Sequence, residues 1–133
     1  MHLRVLERMR PILTEFGIDE RHVRYMNGED VSLGTFYRLV YLLLQGDEIV
    51  YIGCSRNLFC RMEPHRRRYA GFFDRVAVIR ASECQFSDYD MRHLERRMIS
   101  HIKPPFNRMH TGRIQTRQKG VKKDARSNAT AQG

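Results

Sequence analysis

Apolar residues recur along the chain with two different spacings, and each spacing implies a different element. Leu3, Leu6, Met9, Leu13 and Phe16 lie three or four residues apart, the period of one helical face, which predicts an amphipathic helix over residues 2–16. Gly17 can end that helix, and Pro11 can kink or divide it. Asn27-Gly28-Glu29-Asp30 and Gly34 then punctuate a connecting stretch whose role the pattern leaves open. From Tyr37 onward the signal changes to two apolar runs, Leu39 to Leu44 and Ile49 to Ile52, parted by Gln45-Gly46-Asp47-Glu48. Such a pair reads as a β-hairpin with a polar turn, and its nearly unbroken apolar character predicts strands covered on both faces.

Ser55 is placed to cap a helix starting near Arg56, with Leu58, Phe59 and Met62 turned inward and a disturbance at Pro64. A third strand is predicted at Val76-Ala77-Val78-Ile79. Ser87 or Asp88 can cap a second long helix that runs to about Ile102, where Lys103-Pro104-Pro105 stops it. Met91, Leu94, Met98, Ile99 and Ile102 form one apolar stripe of that helix, with Arg92, His93, Arg96, Arg97 and Ser100 on its other face. Glu95 falls inside the apolar stripe, four residues from both Met91 and Ile99. A carboxylate there is desolvated unless a cation or donor meets it, which leaves two readings: a structural salt bridge to a core arginine, or a metal ligand.

Length and charge add to this picture. A chain of 133 residues suits one domain with one active unit. Lys and Arg outnumber Asp and Glu by 24 to 15, for a formal charge of +9, which favours a polyanionic partner. The positive residues include Arg56, Arg66-Arg67-Arg68 and, from Arg108 onward, a segment with Arg113, Arg117, Lys119, Lys122 and Lys123 and a single acid, Asp124. That segment, residues 108–133, has few large apolar side chains and is predicted to be a basic, flexible tail. Cys54, Cys60 and Cys84 are odd in number and contain no Cys-x-x-Cys pair, which argues against a disulfide framework and a zinc knuckle. No apolar run approaches the roughly 18–20 residues needed to span a bilayer, so no membrane association is expected. An intracellular protein, cytoplasmic or nucleoid-associated, follows.

Leu39-Val40-Tyr41 followed by Tyr51-Ile52-Gly53 resembles the paired motif of the GIY-YIG endonucleases. Leu39 and Val40 stand where the name motif has Gly-Ile. Arg61 follows eight residues after Gly53, His65 four residues later, Glu95 sits in the long helix, and Asn107 follows Lys103-Pro104-Pro105-Phe106, all in the family's order. Cys54 stands where some members carry a lysine. The resemblance covers residues 37–107 and implies an α+β fold, a small antiparallel three-stranded sheet flanked by helices. Residues 1–36 are then an N-terminal helical extension and residues 108–133 the basic tail.

The resemblance further implies hydrolysis of DNA phosphodiester bonds with one Mg²⁺ or Mn²⁺ ion on Glu95. Arg61 would stabilise the pentacovalent phosphorus and the metal would assist the leaving oxygen. Arg61 and His65, four residues apart, share a helical face and can converge on one phosphate. A free tyrosine, with a pKa of about 10, is ionised only about one part in a thousand at pH 7, so nearby cations must lower that value or a histidine must take the proton. Tyr41 with His65 as relay is the expected base, and Tyr51 is its competitor. Gly53 and Asn107 are expected to be structural. RNA is left open as a substrate, and double-strand cleavage would call for a homodimer, a partner protein or sequential nicks. The alternative is a non-catalytic nucleic-acid-binding module that retains the nuclease fold.

Overall fold

The computed structural model describes residues 3–31, 38–69 and 71–107. Its elements run α1 (Leu3–Phe16), β1 (Val23–Asn27), β2 (Leu39–Gln45), β3 (Glu48–Ser55), α2 (Leu58–Arg68), β4 (Arg75–Arg80), a short α3 (Ala81–Cys84) and α4 (Asp88–Ile102). The class is α+β, as the pattern implied. Among the described residues the sheet is antiparallel but has four strands rather than three, in the order β1-β4-β2-β3. The additional strand, Val23–Asn27, runs directly into a 3-10 turn (Gly28–Asp30) and pairs with β4 instead of its sequence neighbour β2. Its five residues alternate poorly between buried and exposed, so the sequence carries little period-two signal there.

Two apolar layers cover the sheet. On one face α1 and α4 pack Met9, Ile12, Leu13, Met91, Leu94 and Met98 against Val40, Leu42, Ile52 and Ile79. On the other, Leu58 and Met62 of α2, with Tyr69, cover Leu39, Tyr41, Leu43 and Val78. The hairpin strands are therefore covered on both faces, which is why they lack alternation. One ion pair and one hydrogen bond join the helices of the first layer: Arg97 pairs with Glu15 at 2.8 Å, and Arg8 donates to the last α4 carbonyl, Ile102 O, at 3.0 Å.

Local details correct several expectations. The buried stripe of α1 is Val5, Met9, Ile12 and Leu13, with Leu6 and Phe16 partly buried against the same core; of the expected apolar face only Leu3 is exposed. Pro11 and Pro64 lie within continuous helices. Both are exposed, so the carbonyls of Glu7 and Cys60 that lose a partner sit on the solvent side, where water can satisfy them. The cap of α2 is Asn57, whose side chain accepts from Cys60 N–H at 3.1 Å; Ser55 Oγ instead accepts from Asn57 N–H at 3.0 Å. Starting the helix at Leu58 buries Leu58 and Met62 and leaves Phe59 outside. Ser87 caps α4 with a full capping box through Asp90, and Lys103 ends it in the left-handed region at φ 57°.

The β2–β3 register sets up the site. Tyr41 pairs with Gly53, and the phenol ring lies over the bare Cα: a methyl group built on Gly53 would sit 2.6 Å from both Cζ and Oη of Tyr41. Only glycine leaves this space. Between Leu43 and Leu44 the register shifts by one residue, so that Tyr51 opposite Leu43 faces the same side as Tyr41 while Ile49 faces the other. At the outer edge, Asn107 accepts from Ile52 N–H at 2.8 Å and donates to Ile52 O at 2.9 Å, closing the free backbone groups of β3 as another strand would.

Gly53→Ala is expected to destabilise the fold by about 1–3 kcal/mol, because an extra methyl in a filled site forces rearrangement. The loss should shrink markedly in a Gly53→Ala/Tyr41→Ala double variant compared with Tyr41→Ala alone, read by urea denaturation as a coupling energy. Additive effects would show that the ring does not depend on the glycine.

Candidate active site

Tyr41 is the centre of the constellation. Its side chain is 2 % exposed, and its hydroxyl lies 2.7 Å from Nε2 of His65, one turn past Arg61 on α2. Burial, the neighbouring Tyr51 and the Glu95 charge all push its ionisation far above the ordinary tyrosine range; Arg61 pulls the other way. The phenol is therefore protonated; the tautomer of the imidazole sets which group donates, and in the Nδ1–H tautomer the phenol O–H donates to Nε2. Burial also raises Tyr51, with Tyr69 and Glu95 adding to the shift and Arg61 opposing it. Neither tyrosine is a ready phenolate. The two are hydrogen-bonded to each other, a contact that raises Tyr41 and lowers Tyr51; Tyr41 also lies at hydrogen-bond distance from His65 Nε2, whereas Tyr51 meets the imidazole ring by ring, with centroids 4.9 Å apart.

Glu95 faces the same place from another element. It sits on α4, which packs on the edge strand β3, and its charge is felt by Cys54, Tyr51 and Tyr41. Among the described residues no salt bridge closes on its carboxylate. Burial holds the Glu95 carboxyl above the usual carboxylate range, while Arg92 and Arg96 act at longer range in the opposite sense. Among the described residues no group of three or more His, Cys, Asp and Glu side chains converges as a full metal cage. A lone, half-buried, unpaired carboxylate nonetheless fits a hard divalent ion that keeps several waters and shares substrate oxygens. Glu95 is the side chain that could hold it.

The structure thus sets Tyr41 and Tyr51 against His65 and within electrostatic reach of both Arg61 and Glu95, while the charges that act on Glu95 itself are Arg92 and Arg96; Gly53 lies beneath the Tyr41 ring and Asn107 fixes the adjoining edge. The nucleic-acid candidates are more dispersed. Arg56 is exposed and pairs with Asp88 at 3.2 Å, where Arg38 also binds. Arg66 donates to Gly28 O at 2.7 Å, Arg67 pairs weakly with Glu63 at 3.6 Å, and Arg68 is exposed. Arg113, Arg117, Lys119, Lys122 and Lys123 lie outside the described residues. Among those residues no helix is long and apolar enough to cross a membrane.

Tyr69 and Phe106 belong to the site's surroundings although sequence reasoning passed over them. Tyr69 stacks on His65 with centroids 5.8 Å apart and on Phe106 at 4.4 Å. Its position four residues after His65 placed it on the same helical face, a signal that was present; Phe106 has none. Comparison of the chain with protein-family models, with curated proteins and with solved structures gives no match in any of the three.

The Glu95 environment leads to a pH prediction. A carboxyl whose pKa is higher folded than unfolded holds its proton more tightly in the folded state. Its penalty is absent at low pH and grows as pH rises from the unfolded value of 4.5 through the folded one. In metal-free buffer, Glu95→Gln should therefore melt higher than the parent chain near pH 7, with the difference vanishing near pH 4. Calorimetric melting across that range checks it. A lower melting temperature for Glu95→Gln at neutral pH would mean that the charge is stabilised by a partner.

Proposed function

We propose that the chain is a metal-dependent endonuclease of the GIY-YIG type that hydrolyses DNA phosphodiester bonds, one strand per site. The observation that carries this reading is the buried Tyr41 hydroxyl, 2.7 Å from His65 Nε2, under the influence of the Arg61 cation and of the Glu95 carboxylate, on which no salt bridge closes among the described residues. A purely structural core has no use for that combination, since the desolvated tyrosine and glutamate each raise the free energy of their charged forms. Support for a DNA substrate comes from the formal charge of +9 and the exposed arginines of α2.

In this reading a water molecule attacks phosphorus and gives its proton to the Tyr41 oxygen, as the phenolic proton passes to His65 Nε2. The tyrosine thus relays a proton without first becoming a free phenolate, which burial opposes. Arg61 stabilises the charge of the pentacovalent centre as the bond to the leaving oxygen breaks. Glu95 would hold one Mg²⁺ or Mn²⁺, which supplies Lewis-acid stabilisation of the charge on that oxygen. Tyr51, tilted against the relay imidazole, and Tyr69, stacked on it, hold the ring in place.

Arg61→Ala and Glu95→Ala should each slow Mg²⁺-dependent nicking of supercoiled plasmid by at least about a hundredfold, with DNA affinity kept within a few-fold, because both residues act chiefly on the transition state. Parallel losses of binding and cleavage would sink the assignment. No nicking by the parent chain with Mg²⁺ or Mn²⁺ would favour a binding module instead.

A further inference from the structure

A column of aromatic rings leads from the Tyr41–His65 pair to the protein surface. His65 stacks on Tyr69 with centroids 5.8 Å apart and planes 17° from parallel; Tyr69 stacks on Phe106 at 4.4 Å and 12°. Phe106 then meets Phe72 edge-on at 5.7 Å. Inner rings are covered, Tyr69 being buried and Phe106 partly so, but Phe72 is 53 % exposed. A single exposed aromatic is unremarkable in itself. This one ends a chain of ring contacts from the candidate reaction centre, stacked as far as Phe106 and edge-on at the last step, and its backbone is held from both sides.

Three features hold it. Gly71 takes the left-handed conformation at φ 79°, which other residues adopt only with strain. Phe72 N–H donates to Tyr69 O at 2.9 Å, tying the turn to the end of α2. From the end of β2, Gln45 Nε2 donates to Gly71 O at 3.3 Å. The ring is thus presented on a braced turn. It follows closely in sequence on Arg66, Arg67 and Arg68, all exposed at the end of α2.

We infer that Phe72 is a stacking platform for an unpaired base of single-stranded DNA, with the arginines at the end of α2 taking the flanking phosphates. Exposed aromatic faces next to cationic side chains are the chemistry by which proteins hold single strands without reading sequence. In a blunt duplex every base face is already stacked, so the platform discriminates in favour of single-stranded, frayed or flapped DNA. The inference deepens the nuclease reading, on which it rests for the role of the bound strand: it names the substrate class as DNA with an unpaired segment close to the cleaved bond.

The test uses the full chain and two probes, a mixed-sequence single-stranded oligodeoxynucleotide carrying 2-aminopurine and a blunt duplex of the same length. Phe72→Ala should weaken single-strand affinity about fivefold or more and abolish the stacking quench of 2-aminopurine, with duplex affinity changed less than about twofold. Phe72→Trp should retain single-strand binding, and Phe72→Leu, which keeps apolar area without a π face, should resemble Phe72→Ala. An unchanged Phe72→Ala, an equal loss on both probes, or full binding by Phe72→Leu would overturn the platform. Plasmid nicking measured beside these assays separates the two ideas. Nicking without single-strand discrimination removes the platform alone, whereas discrimination without nicking supports the platform and removes the hydrolytic reading.

Discussion

The packing of the Tyr41 ring over Gly53 is the constraint on which the arrangement depends. It exists because the β2–β3 register sets these two residues opposite each other and because one of them has no side chain. With the ring held there, its hydroxyl meets the Tyr51 hydroxyl and the imidazole that α2 supplies one turn beyond Arg61. A register slip of one residue would send Tyr41 to the α4 face and dissolve the site. The edge of β3 that carries Gly53 is accordingly braced, with the Asn107 amide taking both free backbone groups of Ile52.

The same packing creates an electrostatic tension. Covering both faces of the sheet removes water from Tyr41, Tyr51 and Glu95, and all three have their charged forms disfavoured. For the tyrosines this argues for a proton passed along a hydrogen bond rather than released to solvent. For Glu95 it leaves a carboxylate whose natural complement is a cation. Stability and the proposed chemistry pull in opposite directions at that residue, as they commonly do where a fold holds an unpaired charge ready.

Much of this was legible in the sequence because its signals were strong and local. The period of α4 placed Glu95 within an apolar stripe, and the polar interruption Gln45-Gly46-Asp47-Glu48 located the hairpin that joins Tyr41 to Gly53. The four-residue spacing of Arg61 and His65 put them on one face of α2 in spite of Pro64, whose lost hydrogen bond falls on the solvent side. What was missed depends on tertiary pairing. β1 is a short strand defined by its neighbour β4 rather than by alternation. Phe59 carries no mark that distinguishes it from Leu58 or Met62 until the helix start is known. The aromatic column through Tyr69, Phe106 and Phe72 joins the end of α2, the turn after it and the segment beyond α4, and no sequence period connects those.

The central claim is that the Tyr41 hydroxyl, through His65, carries the proton in phosphodiester hydrolysis. Tyr41→Phe keeps the ring over Gly53 and deletes only the oxygen, so it separates chemistry from packing more cleanly than any other single change. The most direct measurement is single-turnover nicking of plasmid DNA by the parent chain and by Tyr41→Phe with saturating Mg²⁺, alongside their thermal unfolding. The account predicts nearly equal melting temperatures and a cleavage rate lower by about a hundredfold or more, the scale of a lost general base. A Tyr41→Phe protein that cuts at close to the parent rate would contradict it.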